Sequence, residues 1–261
     1  MERIRRAAAA GIFYPAEPGK LRSMVRGFLS RAESRPGNPA ALIVPHAGYV
    51  YSGPVAASAY AALSKRDSPI QRVVLIGPSH YVPLDGIAVP AAREFETPLG
   101  PVPVDIHTLK TLLVRPGVRV DDEVHRREHS LEVQLPFLME VLPAFRLIPL
   151  ATGFTRAADV AVILDSLWED ESTLIVASSD LSHYQDYETA RAMDAETARS
   201  IEGLRPDRIQ PERACGSHAV NGLLTMAAQR GWSVETVDLR NSGDTTGAKD
   251  EVVGYGAFVI S

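Results

Sequence analysis

Short, nearly continuous apolar runs alternate along this chain with stretches of helical period. Ala41–Val44, Arg72–Ile76, Phe145–Leu150, Thr173–Ala177 and Tyr255–Ile260 read as buried strands. Leu131, Leu135, Leu138, Met139 and Leu142 recur on one face of a helix. Ala219, Leu223, Met226 and Ala227 do the same, and Gly231 is placed to close that helix. Helices are also expected over residues 18–34, 53–65, 156–168 and 187–202. Residues 94–105, EFETPLGPVPVD, carry Pro and Gly at the bend of an inserted turn or small hairpin. Strands alternating with helices predict an α/β fold: a single domain over residues 1–261 with a mostly parallel central sheet flanked by helices.

Three of the predicted strands end in the same way. ALIVPHAGYVYSG delivers His46, RVVLIGPSHY delivers His80, and TLIVASSDLSHY delivers Asp180 and His183. Pro45 and Pro78 cannot donate to a continuing ladder, so each helps to stop its strand. In open α/β sheets, ligands bind beyond the carboxyl ends of the strands. The three ends should therefore converge on one crevice. A lone histidine after a strand is ordinarily a hydrogen-bonded structural residue; three in parallel positions point to a site. His107 and His218 lack that setting and read as surface or structural residues, and His125, within DDEVHRREH, reads as part of a solvated loop.

Other residues leave two readings open. His129 and Glu132 are three apart, so they either share a face and orient one another, or His129 or Ser130 caps the helix that follows. Cys215 stands at or just before a helix start, where the dipole and a nearby metal would favour thiolate; otherwise it is a small buried apolar residue. Tyr49, Tyr51 and Tyr81 follow the two histidines and either line the pocket or pack with the hydroxyl at the surface.

Composition narrows the function classes. A net charge of −5 and a pI near 5.8 argue against general attraction to nucleic acid. One cysteine excludes an internal disulfide framework and suits a reducing compartment. No apolar run reaches the ~18 residues of a membrane span. The opening MERIRRAAAAGIFYP mimics a signal peptide, but its apolar part is short, so it reads as the start of the folded domain of a cytoplasmic protein. There is no phosphate-binding P-loop, no G-x-G-x-x-G and no G-x-S-x-G elbow. Residues 241–250, NSGDTTGAKD, form a polar loop that either connects elements or covers the pocket.

GIFYP, PHAGYVYSG, GPSHYVP, EHSLEVQLP, SSDLSHY and CGSHAV occur in an order that resembles the Memo family, also labelled AmmeMemoRadiSam system protein B. The resemblance runs from about Gly11 to the C-terminus. It implies a fold like that of the class III extradiol ring-cleaving dioxygenases. It also implies metal ligands at His46, His80 and Cys215, with Asp180, His183 and His129 beside them as catalytic residues; Tyr49 and Tyr81, from their place after the histidines, and Glu132, from its spacing to His129, are the candidates for the substrate wall. The dioxygenases hold iron(II) with two histidines and a carboxylate; a cysteine at the third position supplies a soft thiolate and alters metal preference. Iron(II) is the expected metal, with copper or zinc as alternatives.

Three function classes follow: a metal-dependent oxidoreductase acting on a small molecule, a non-catalytic pocket for a peptide or for metal handling, and, more weakly, a hydrolase using Cys215 or a serine of SSD. The family label further implies a functional link to an AMMECR-type protein and a radical S-adenosylmethionine enzyme.

Overall fold

The computed structural model describes residues 4–33, 37–66 and 68–261. Ser34, the last residue of one expected helix, and residues 1–3 of the expected domain start lie outside the described residues. The strands are β1 (Ile4–Arg5), β2 (Ala41–Val44), β3 (Arg72–Pro78), β4 (Ile87–Val89), β5 (Glu94–Thr97), β6 (Gly100–Pro103), β7 (Val118–Val120), β8 (Arg146–Thr152), β9 (Thr173–Ser178), β10 (His183–Gln185), β11 (Val234–Asn241) and β12 (Val252–Ile260).

The main sheet runs β10-β12-β2-β9-β3-β8-β4-β7, with β11 also paired to β12. Its centre, β2-β9-β3-β8, is parallel. The flanks are mixed: β12 is antiparallel to β2, β10 and β11, and β4 is antiparallel to β8. The four central strands carry the uninterrupted apolar runs because both of their faces are covered; Leu42, Val74, Leu75, Ile148 and Ile175 are all fully buried. Each such side chain contributes roughly 1.5–3 kcal/mol by leaving water. The segment expected to bend is a hairpin of β5 and β6, extended by β1 into a small second sheet.

Helices fill the connections. Pro18–Leu29 starts where the Glu17 carboxylate accepts from the N–H groups of Gly19 and Lys20, with Pro18 in the first turn, and it buries Leu21 and Val25. Ala157–Leu167 and Ser217–Arg230 pack on one another, and the second also packs on β3 and β9. Gly231 ends that helix at φ 69°, the left-handed conformation that favours glycine.

Three differences from expectation affect the site. The helix expected after Gly53 begins at Tyr49 and becomes a 3-10 turn after Tyr60. The helix expected from Leu131 is split into a 3-10 turn, Glu132–Gln134, and a helix, Leu135–Val141. Pro136 explains the break, since it lacks an N–H and belongs in a first turn. Residues 241–250 are not wholly loop: Asn241 and Asp244 cap a short helix, Ser242–Thr246. No helix among the described residues is long and apolar enough to cross a membrane.

Candidate metal-binding site

The carboxyl ends of β2, β3 and β9 open into one cavity of about 990 Å³. His46, His80, His129, Asp180, His183 and Cys215 all line it. His46 follows β2 and is 2% exposed. Its Nδ1 lies 2.9 Å from Ser178 Oγ. That hydroxyl donates to Ser130 O at 2.6 Å and accepts from Gln134 Nε2 at 2.8 Å. The serine proton is therefore committed, and His46 Nδ1–H must be the donor. Its Nε2 lone pair is left facing Cys215 Sγ, 3.2 Å away. Gln134 is itself fixed by donating to Pro45 O at 2.9 Å and accepting from the Tyr60 hydroxyl at 3.0 Å.

Glu128 does for His80 what Ser178 does for His46. Its carboxylate accepts from His80 Nδ1 at 2.9 Å, from His80 N at 2.6 Å and from Ser130 N at 2.9 Å. A carboxylate only accepts, so His80 donates through Nδ1 and turns its Nε2 edge to the site. Burial alone would raise the Glu128 carboxyl; the His80 side chain and the two N–H groups overcome it and hold Glu128 at about 2.

His46 Nε2, His80 Nε2 and Cys215 Sγ are thus aimed at one point, with the three residues' ligand atoms within 4.8 Å of one another. His80, Glu128 and His129 form a second close group. It is a supporting layer rather than a second centre. The His80 and His129 rings are stacked, 4.7 Å apart at 23°, so their lone pairs lie in separate, nearly parallel planes. The Glu128 oxygens are also already engaged.

Burial, then repulsion from His80, holds His46 well below its ordinary pKa. Burial, then the neighbouring His46, pushes His129 down to about 3. Both rings are neutral at pH 7, the form that donates to a metal. His129 stacks on Phe13, and its Nδ1 makes no hydrogen bond despite lying 3.4 Å from Glu128 Oε1.

Asp180 ties the strand ends together. Its Oδ1 accepts from His46 N at 2.7 Å and Ala47 N at 3.3 Å, and its carbonyl accepts from Cys215 N at 3.3 Å. It orients the backbone that carries two of the donors. Burial pushes its carboxyl up, against the pull of those N–H groups. His183 lies on β10, paired with Val253, and a register shift follows at Tyr184, whose φ is 58°. Cys215 precedes the helix Ser217–Arg230. Gly216 is required beside it, since an added Cβ would sit 2.5 Å from Ser178 O. Burial, then the Asp180 charge, pushes the thiol up to about 12 where no metal is bound.

Several expected placements are corrected. Glu132 does not line the cavity or pair with His129; it is wholly buried, ion-paired with Arg5 and bonded to the Tyr14 hydroxyl and the N–H groups of Ala8 and Ala9. Tyr49 is 3% exposed and donates to Val133 O at 2.6 Å, away from the cavity, whereas Tyr51 and Tyr81 line it. His125 is not on a solvated loop; it is 1% exposed in the helix Asp122–Arg126, with Nε2 3.0 Å from Ala88 O. Glu128, Ser178 and Gln134 also serve the site, although no pattern in the sequence marks them. The stretch 241–250 contributes Ser242 and Ala248 to the cavity wall.

His125 gives a testable pH dependence. Burial, partly offset by the bond to Ala88, lowers it to about 4. Between pH 6.5 and 4 the unfolded chain therefore binds the extra proton, and stability is lost as pH falls through that window. The loss by pH 5 is on the order of 2 kcal/mol from this residue. Asp180 and Asp194, whose carboxyls are raised by burial, act in the opposite sense. Urea unfolding of metal-free protein at pH 7.5 and 5.0 should show a smaller acid loss in His125→Gln, whose amide still donates to Ala88 O. Equal losses in both proteins would contradict the assignment.

Comparison with known proteins gives one family. The Memo-like protein family matches residues 5–259. A MEMO1 family protein of Aquifex aeolicus is 36% identical over 267 residues, covering 97% of this chain and 97% of the relative. One from Thermotoga maritima is 36% identical over 278 residues, covering 98% and 99%. Among solved structures, the uncharacterized protein JW3007 from Escherichia coli K12 superposes with a TM-score of 0.56 at 14% identity, over 85% of this chain and 99% of its own. That likeness is one of fold, and the architecture is compatible with the class III extradiol dioxygenase fold.

Proposed function

Because this chain belongs to the Memo-like protein family, we propose that it is a metal-dependent oxidoreductase acting on a small molecule in the cavity. The observation that carries this reading is the convergence of two imidazoles, each held through Nδ1 by a hydrogen bond, and one thiol in a cavity large enough for a small molecule. Three protein donors leave coordination positions open, as catalytic rather than structural sites do. His46, His80 and Cys215 would hold the metal, iron(II) first, with copper or zinc also suited to two nitrogens and a sulfur. When bound, iron(II) would supply redox chemistry and open positions for a substrate donor atom.

The chain supplies the rest. Glu128 and Ser178 keep the histidine tautomers fixed, and Asp180 holds the His46 and Cys215 backbones in register. His183, half-buried on the wall, would take and return the proton of a substrate hydroxyl. A metal-free cysteine hydrolase fits poorly, since a thiol at about 12 is almost wholly protonated at neutral pH. A non-catalytic binding role is favoured by one feature, the exposed Tyr81 and Tyr184 at the cavity mouth, which suit contact with a peptide. A functional link to an AMMECR-type protein and a radical S-adenosylmethionine enzyme is proposed on the family label alone.

His183→Ala should retain metal and fold but lower turnover by about 10²-fold. The test is oxygen uptake by metal-reconstituted protein, screened over catechols, other phenols and thiols. No uptake by the wild type would favour the binding role. Unchanged turnover in the variant would remove His183 from the mechanism.

A further inference from the structure

The cavity described above has a charge pattern that its metal donors do not account for. Three carboxylates line it, Asp180, Glu212 and Glu251, and no Lys or Arg does. Asp180 is deep, 5% exposed and committed through Oδ1 to the His46 loop. Glu212 and Glu251 are exposed, and neither has an ion pair or hydrogen bond among the described residues. The cations near them in sequence are engaged elsewhere. Arg213 pairs with Glu196 at 2.8 Å, and Lys249 lies 4.3 Å from the centroid of the Tyr187 ring. Arg127, the cation beside the other wall, stacks on Tyr81 at 5.6 Å.

Aromatic rings make up much of the remaining wall: Phe13, Tyr51, Tyr81, Tyr184 and Tyr255. Tyr184 is held there by a left-handed backbone, φ 58°, that a non-glycine residue adopts at a cost of roughly 1–3 kcal/mol. Aromatic faces and unpaired carboxylates both attract cations, and the low-dielectric walls of a cleft concentrate their field. A divalent metal would add its own charge at the deep end, where the Cys215 thiolate and Asp180 offset it. The negative groups at the mouth have no such counterweight.

Taking the cavity as the ligand site proposed above, we infer that its substrate is a small aromatic molecule bearing an ammonium group. The ammonium lies toward Glu212 and Glu251, and the ring reaches the donors below. Carboxylate and phosphate analogues of the same size are disfavoured at the mouth, because no Lys or Arg lines the cavity and Glu212 and Glu251 repel them.

A matched set of phenols tests this without relying on metal chemistry. Tyramine, p-cresol and 4-hydroxyphenylacetate share one ring and differ in carrying a positive, zero or negative group. Binding is measured calorimetrically at low salt, on protein as purified and after chelation. Tyramine should bind at least about tenfold more tightly than 4-hydroxyphenylacetate, and the preference should shrink at high salt. In E212K/E251K, both changes being at exposed positions, the order should invert. Equal binding of the two charged phenols, absence of tyramine binding up to about 10 mM, or a preference unchanged in E212K/E251K would overturn the inference. Because the preference is read in chelated protein, its failure would leave the metal assignment standing, and loss of the metal assignment would leave this test intact.

Discussion

Cys215→Ser is expected to lower the affinity for iron(II) and copper(I) by about 10³-fold or more, beyond the 10–100-fold typical of losing an outer partner of a ligand. The substitution is nearly isosteric, and Cys215 has few other duties. Its Sγ faces His46 Nε2 at 3.2 Å and otherwise makes only long contacts, at 3.9 Å to Ser179 Oγ and 3.7 Å to Asp180 O. The variant therefore keeps its packing and loses an anionic donor. The same thiol gives a second readout. With its pKa pushed up to about 12, it carries a proton at neutral pH, and metal binding must displace that proton. Calorimetry in buffers of different ionisation enthalpy should show about one proton released per metal in the wild type and none in Cys215→Ser. Unchanged affinity in the variant would make Cys215 a packing residue and remove it from the ligand set.

Glu132→Ala should destabilise the fold by about 3–5 kcal/mol, the usual cost of breaking a buried ion pair from one side. Arg5 is 6% exposed and Glu132 fully buried. The carboxylate also accepts from the Tyr14 hydroxyl and from Ala8 N and Ala9 N at 2.8 and 2.9 Å. Its removal leaves the Arg5 guanidinium without a counter-charge and the Tyr14, Ala8 and Ala9 donors without an acceptor, beneath the N-terminal segment that carries Phe13 to the cavity wall. Arg5→Ala/Glu132→Ala should be less destabilising than the sum of the single variants, because neither charge is then stranded. Urea unfolding measures both. A loss below about 1 kcal/mol for Glu132→Ala would contradict the role assigned to this cluster.

The parallel centre was legible because burial on both faces leaves no polar interruption. Ala41–Val44 matches its strand at both ends, and Thr173–Ala177 stops one residue short. β11 escaped because most of its residues are half-exposed, and β4 and β7 because three residues carry little periodicity. The convergence of His46, His80, Asp180 and His183 was legible from topology, since strand ends in a parallel sheet meet on one side. The groups that hold them were not. Glu128 sits in a charged run that resembles solvent-facing sequence, and its partner His80 is 48 positions away. Glu132 depends on Arg5, 127 positions distant. His125 was misplaced by its charged neighbours: Asp122, Glu123 and Arg126 face solvent, while Val124 and His125 turn inward. Tyr49 was not separable from Tyr51 in the sequence, because the helix starts four residues before its expected position and two helical steps set the rings about 200° apart.

The most direct test of the central claim is the metal content of protein purified without oxygen and without chelator, combined with X-ray absorption at the metal edge. The account predicts about one transition-metal ion per chain, with a sulfur scatterer near 2.3 Å and nitrogen scatterers near 2.0–2.1 Å, the values for zinc, with iron(II) a little longer. Protein that is metal-free and takes up neither iron, copper nor zinc on titration would contradict it.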